Sequence, residues 1–163
     1  MTRQTKGDEV NATIAAIADP LERLKASADL VRKSEEYAER ARAMRDMAAI
    51  VAHLDDDVPP VVLYRDVLEC SRGLFVRIIQ RAPAKRPKID DALDVTRESA
   101  AAVRRHEEIA TAARQVRDET AMLLMSGGTD PISGEEVKAI TNADVARATG
   151  LTTARIAQMR TGS

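Results

Sequence analysis

From Leu21 to Leu54, and again from about Asp90 or Asp91 to Met125, the chain carries neither glycine nor proline. Loops of that length without turn residues are rare, whereas long helices require that absence. In the first run Leu24, Ala28, Val31, Ala38, Ala41, Met44, Ala48 and Val51 recur at spacings of three, four and seven, while Arg, Lys and Glu crowd the other faces. That spacing predicts an amphipathic helix of roughly nine turns. Asp19-Pro20 is a start signal, a side-chain cap followed by a residue that loses no needed amide at the first helical position. Asp55-Asp56-Asp57 and Pro59-Pro60 stop the first run, and Gly127-Gly128 ends the second. Helices this long need an equally long partner. They are expected to pair with each other or with those of a second chain, which would make a homodimer.

Composition narrows the fold class to all-α. The chain is 44% hydrophobic but only 2% aromatic, with no Trp. Its core must therefore be Ala, Val, Leu, Ile and Met, which suits closely packed helices. Few aromatics also count against single-stranded nucleic-acid binding by base stacking. A formal charge of −1 excludes a protein that coats nucleic acid by charge alone, so any such binding must come from local patches. The lone Cys70 forms no internal disulfide and reads as a small core residue in an apolar helix. No stretch has the apolar length of a membrane span and the first twenty residues do not read as a signal peptide, so a cytoplasmic protein without membrane contact is expected.

Taken in order, residues 1–18 read as an N-terminal arm, polar and frayed to about residue 10, then a short helix from Asn11 to Ala18 with Asn11 as its cap. Residues 19–82 are the first long helix plus two short helices around Ser71-Arg72-Gly73. Residues 83–89 belong to a basic, Pro-rich linker that begins at Ala82-Pro83, and residues 90–163 hold the second long helix and a terminal pair of helices. Thr129 to Lys138 reads as a loop, and Thr141 or Asn142 caps the terminal pair. The two halves also look related. Shifted by 72, residues 19–54 match 91–126 at 14 of 36 positions, including Ser27 on Ser99, Val31-Arg32 on Val103-Arg104 and Arg45-Asp46 on Arg117-Asp118. Because 72 residues is about twenty helical turns, shared amphipathic phase inflates that score. Beyond the helices, a shift of 78 brings Asp66-Val67 onto Asp144-Val145 and Arg77-Ile78 onto Arg155-Ile156. Two tandem related units are therefore expected, each a long helix followed by a helix-turn-helix. In the first, Arg72-Gly73 stands where the second has Gly150-Leu151, and Leu68 replaces the small Ala146, which reads as a degenerate copy.

The terminal stretch, Asn142 to Gly162, carries the sharper pattern. Val145, Ala146 and Thr149 form one helix's inner face, Gly150 supplies a left-handed turn, and Leu151 plugs the angle. Thr152 caps the next helix, whose inner face is Ile156 and Met159. These residues closely resemble the helix-turn-helix of bacterial and phage transcription regulators, and are similar to the last region of sigma factors and to actinobacterial proteins with a GLS-x-x-R-I-x-Q-x-R signature. The resemblance covers about the last 20 residues. It implies sequence-specific binding of double-stranded DNA, with the second helix in the major groove. Thr152, Thr153, Ala154, Arg155 and Gln158 are then the candidate base readers: Thr and Ala methyls suit a thymine methyl, a Gln amide an adenine edge, and Arg a guanine or a phosphate. Arg147 and Arg160 are candidate phosphate clamps. In the first unit Arg72, Arg77, Arg81, Lys85, Arg86 and Lys88 form a basic run that could lie along phosphates or enter a minor groove.

No catalytic set is visible, and no enzyme or cofactor is expected. His53 and His106 lack metal-ligand spacing. Glu35-Glu36 and Glu107-Glu108, set among Arg and Lys, read as surface charge ladders, with Arg104 one candidate partner of Glu107. Gly127-Gly128 is not followed by the Lys of a phosphate loop. Two alternatives stay open: a phage packaging protein resembling a small terminase subunit, and a module that engages RNA polymerase or a sigma factor.

Overall fold

A computed structural model describes residues 6–161. Six α-helices, one short π-helix and a two-stranded hairpin follow in order: α1 (Lys6–Ala15), α2 (Pro20–Leu54), the π-helix (Val62–Val67), α3 (Arg72–Gln80), α4 (Ala92–Ser126), β1 (Gly128–Thr129), β2 (Glu136–Val137), α5 (Asn142–Thr149) and α6 (Thr153–Thr161). The chain is all-α apart from that hairpin. Both long helices are present at 35 residues each, about 52 Å at 1.5 Å per residue. Asp19 starts α2 as expected: its Oδ1 accepts the amides of Leu21 (2.8 Å) and Glu22 (2.9 Å).

The chain divides into two compact units, Met1–Glu35 with Glu107–Ser163, and Glu36–His106. Compactness thus cuts through α2 and α4 rather than falling at the linker. In the first unit α2 and α4 run antiparallel: Arg23 and Leu24 meet Thr120, Ala121 and Leu124, and Val31 meets Ala113 and Val116. The buried seam residues Ser27, Ser34, Ala110 and Ala113 are small, which lets the backbones approach closely. Ser27 Oγ donates to the Leu24 carbonyl, so the buried hydroxyl is satisfied within its own helix. Helix α1 covers this pair with Val10 and Ile14, joined by Ile17 just beyond its end. The helix starts five residues before the expected Asn11, because Val10, Ile14 and Ile17 set its apolar face and leave Asn11 mid-helix. The arm expected to be frayed to about residue 10 is helical from Lys6 onward, while residues 1–5 lie outside the described residues, as does Gly162.

The second unit packs Ala49, Ile50, Val51 and Ala52 of α2 against Ala92 and Leu93 of α4. Leu63, Leu68, Phe75 and Ile78 of the short-helix pair complete its core. Thr96 is buried on α4 with its hydroxyl donated to the Ala92 carbonyl at 2.7 Å. Each unit therefore covers most of the apolar stripe of the long helices from within the chain, with Met44 left 51% exposed.

The segment expected as a loop, Thr129 to Lys138, contains the hairpin, with Gly128 opposite Val137 and Thr129 opposite Glu136. Gly127 ends α4 at φ 71°, and a Cβ there would lie 3.1 Å from the Val137 carbonyl oxygen and 3.2 Å from the Ala139 amide nitrogen. Strain and collision act together. Gly127→Ala is expected to cost about 1–3 kcal/mol, read as a lower urea midpoint with an unchanged slope.

Candidate nucleic-acid interface

Thr141, not Asn142, caps α5: its Oγ1 accepts the Asp144 amide at 3.2 Å and donates to the Asp144 carboxylate at 2.7 Å. This reciprocal arrangement fixes where the helix begins. That hydroxyl bond, then the nearby Arg147, holds the Asp144 carboxyl below its ordinary range against a smaller opposing effect of burial. Gly150 adopts φ 70°, ψ 7°, and its amide donates to the Ala146 carbonyl. The chain reverses there, Leu151 packs half-buried into the angle, and Thr152 Oγ1 accepts the Arg155 amide at 3.2 Å to open α6. Val145 and Ile156 are both 0% exposed, and Ala146 and Met159 join them over Leu24, Ala121, Leu124 and Met125 of the long helices. Thr149 is half-buried, its hydroxyl donated to the Val145 carbonyl. Ile140 anchors the entry by donating its amide to the Leu124 carbonyl.

With Ile156 turned inward, α6 exposes Thr153, Ala154, Arg155, Ala157, Gln158 and Arg160, next to its exposed cap Thr152. Arg155 Nη1 lies 3.5 Å from Gln158 Oε1, so the two long side chains share one side of the helix. Arg147 is exposed on α5 and pairs with Asp144 at 3.0 Å. From Lys138 to Arg160, Asp144 is the only carboxylate against Lys138, Arg147, Arg155 and Arg160. The surface is locally cationic in a chain that is formally near neutral.

The hairpin before α5 is held by a buried ion pair that sequence reading did not find. Arg23 and Asp130 are 2% and 0% exposed and 2.8 Å apart. Arg23 also donates to the Ile17 carbonyl (2.8 Å) and Thr120 Oγ1 (3.3 Å), while Asp130 accepts from the Ile132 and Ser133 amides and from Ser133 Oγ. Burial pushes the Asp130 carboxyl up, but the bonds from Arg23, Ser133 and the two amides outweigh it and leave it below its ordinary value.

The other short-helix pair differs from expectation in its turn. Ser71 Oγ accepts the Leu74 amide at 3.2 Å, so Ser71 is the cap and Arg72-Gly73 lie inside α3. The left-handed residue is Glu69, at φ 50°. Counted from their caps, Glu69-Cys70-Ser71 corresponds to Gly150-Leu151-Thr152, Phe75 to Ile156 and Ile78 to Met159. That register is 81, not 78, and it sets Arg72, Gly73, Leu74 and Arg77 against Thr153, Ala154, Arg155 and Gln158. The Leu68 amide bonds to the Leu63 carbonyl five residues back, one residue farther than the four-residue step from Gly150 to Ala146 that ends α5. Cys70 sits in this turn rather than in a helix, half-buried against the core, and burial raises its thiol pKa.

The basic run of this unit is only partly open to a ligand. Arg86 forks onto Asp55 through Nε and Nη2, at 2.6–3.0 Å, and Lys88 lies 3.1 Å from Asp90. Arg77 Nε reaches its own helix at the Gly73 carbonyl, 3.4 Å away. Arg72, Arg77, Arg81 and Lys85 are exposed and form no ion pair among the described residues. Arg104 faces Glu69 at 3.7 Å, and Arg114 bonds to Glu35. His53 contacts the Val58 carbonyl and meets Phe75 edge-on, and His106 stacks on Tyr37 with ring centroids 5.2 Å apart. Among the described residues no three His, Cys, Asp or Glu gather to hold a metal ion, and no helix is long and apolar enough to cross a membrane.

α5 and α6 are thus two short, capped helices joined by a tight turn at Gly150 and packed through Val145 and Ile156 on one apolar cluster. No family model, curated protein or solved structure matches the chain.

Proposed function

We propose that the chain binds double-stranded DNA sequence-specifically through α5 and α6, as a transcriptional regulator of bacterial or phage type. The observation that carries this reading is the division of α6: Ile156 is fully buried, while Thr153, Ala154, Arg155, Gln158 and Arg160 are all exposed on a short capped helix with little acid near it. In this reading α6 enters the major groove. Thr153 and Ala154 meet thymine methyls and Gln158 takes an adenine edge. Arg155 reaches a guanine or phosphate, and Arg147 and Arg160 clamp the backbone. Arg147 must loosen its exposed pair with Asp144 to do so, which costs little at a solvated site.

The same reading takes the chain as two related units that have diverged. Both short-helix pairs turn through a left-handed residue, an apolar plug and a hydroxyl cap. The Arg45-Asp46 and Arg117-Asp118 forks also match, Nε to Oδ1 at 2.9 and 2.8 Å. The two last helices have diverged in what they expose: α6 carries Arg155 where α3 carries Leu74, while Arg72 and Arg77 stay exposed on α3.

Selection of bound duplexes from a random pool, followed by sequencing, tests this. A defined motif is expected. Arg155→Ala and Gln158→Ala are each expected to cost about 1–3 kcal/mol of specific binding, roughly 5- to 150-fold, and to relax one motif position while helicity is unchanged. Arg160→Ala should weaken all duplexes alike and flatten the salt dependence by about one phosphate contact. A pool that yields no motif at any salt overturns the assignment.

A further inference from the structure

Helix α3 occupies the place of a reading helix but sets exposed apolar side chains among its exposed Arg72, Arg77 and Gln80. Its outward residues include Leu74 and Val76, 42% and 43% exposed, with Val61 at 37% beside Pro60. The equivalents of Leu74 and Val76 on α6 are Arg155 and Ala157. An apolar side chain gains from a thymine methyl but leaves base-edge donors and acceptors unpaired, so Leu and Val at these places oppose groove reading.

Beneath the exposed face is a cavity of about 210 Å³ lined by His53, Pro60, Arg72, Phe75, Val76 and Ile79. A cavity of roughly 150 Å³ accepts a benzene ring, so this one admits a side chain the size of Phe or Leu. Around it cations are in excess, although the exposed Asp56 and Asp57 stand between the lining residues His53 and Pro60, beside an Asp55 that Arg86 takes up. No Asp or Glu occurs between Glu69 and Asp90, and Arg72, Arg77, Arg81 and Lys85 carry no ion pair among the described residues. An apolar slot beside unpaired cations is complementary to an amphipathic helix with acidic flanks and one bulky apolar anchor.

We propose that α3 and the cavity beneath it dock an acidic amphipathic helix of another protein, which inserts one large apolar side chain between Arg72, Phe75, Val76 and Ile79. The chain then has a protein-docking face of its own, separate in residues from α6. The inference does not rest on DNA binding.

The test is selection of a displayed library of random 16-residue peptides on the full chain. Enriched peptides are then synthesised with a fluorophore and titrated by anisotropy. Enriched sequences should carry Glu or Asp on one face and Leu, Phe or Met at i and i+4. Replacing the anchor by Ala should weaken binding at least tenfold. Val76→Glu and, separately, Leu74→Glu should do the same, with circular dichroism unchanged because both sites are exposed. Gln158→Ala should leave peptide binding intact, so failure of the α6 assignment and failure of this one read out separately. The proposal is overturned by no enrichment, by binders without acidic residues, or by equal affinity for wild type and both Glu variants. It is also overturned if duplex DNA displaces the peptide and Val76→Glu abolishes DNA binding, which would make α3 a DNA contact.

Discussion

Asp130→Ala is expected to be among the most destabilising single substitutions in the chain, at about 3–5 kcal/mol. The carboxylate is fully buried and accepts from Arg23 at 2.8 Å, from Ser133 Oγ at 2.9 Å and from the Ile132 and Ser133 amides at 3.3 Å. Its removal leaves the Arg23 guanidinium 2% exposed, with only the Ile17 carbonyl and Thr120 Oγ1 as partners. The energy at stake is the uncompensated cation more than the lost attraction. Arg23→Met with Asp130→Ala should recover part of the loss, because no charge then remains buried. The effect also depends on pH in a fixed direction. A carboxyl held below its ordinary value stabilises the folded state at pH above the unfolded value, about 4, and that contribution fades as pH falls toward the folded value. Urea unfolding of wild type and Asp130→Ala should therefore differ most at neutral pH and converge below about pH 4. A loss under 1 kcal/mol at pH 7 would mean that the pair is solvated.

That ion pair was invisible in the sequence because its members are 107 positions apart and neither has a local signature. Features governed by neighbouring residues were legible. Asp19-Pro20 places the start of α2, Gly127 the end of α4, and Thr152 the start of α6, each because a backbone group needs that residue type at that position. Gly150 was readable for the same reason. The turn before α3 was not, because Glu69 rather than a glycine adopts the left-handed conformation, and because Gly73 drew attention to a position that is helical. Matching the two short-helix pairs by identity, Arg77-Ile78 with Arg155-Ile156, and matching them by the hydroxyl caps Ser71 and Thr152 give registers three residues apart, and only the second sets Leu74 beside Arg155. The basic run was legible as charge but not as availability: Arg86 is taken up by Asp55, 31 positions away.

Ile156→Ala is expected to remove specific DNA binding without touching a single proposed contact. Ile156 is 0% exposed, and its burial with Val145, Leu24 and Leu124 is the main apolar anchor of α6, since Met159 is only half-buried and every other α6 side chain from Thr153 to Arg160 is exposed. Truncation to Ala costs about 2–5 kcal/mol through lost transfer energy and the cavity left behind. A nine-residue helix has little stability of its own, so that cost falls first on the docking of α6 rather than on the long helices. Hydrogen exchange should show α6 amides losing protection, while those of α2 and α4 flanking Val31, Ala113 and Val116 keep theirs. Bases are then read by a helix docked only part of the time, and affinity falls by that fraction. Ile156→Val, which keeps most of the volume, should cost about 0.5–1.5 kcal/mol and retain the motif. If Ile156→Ala binds its selected duplex as tightly as wild type, the recognition surface lies elsewhere in the chain.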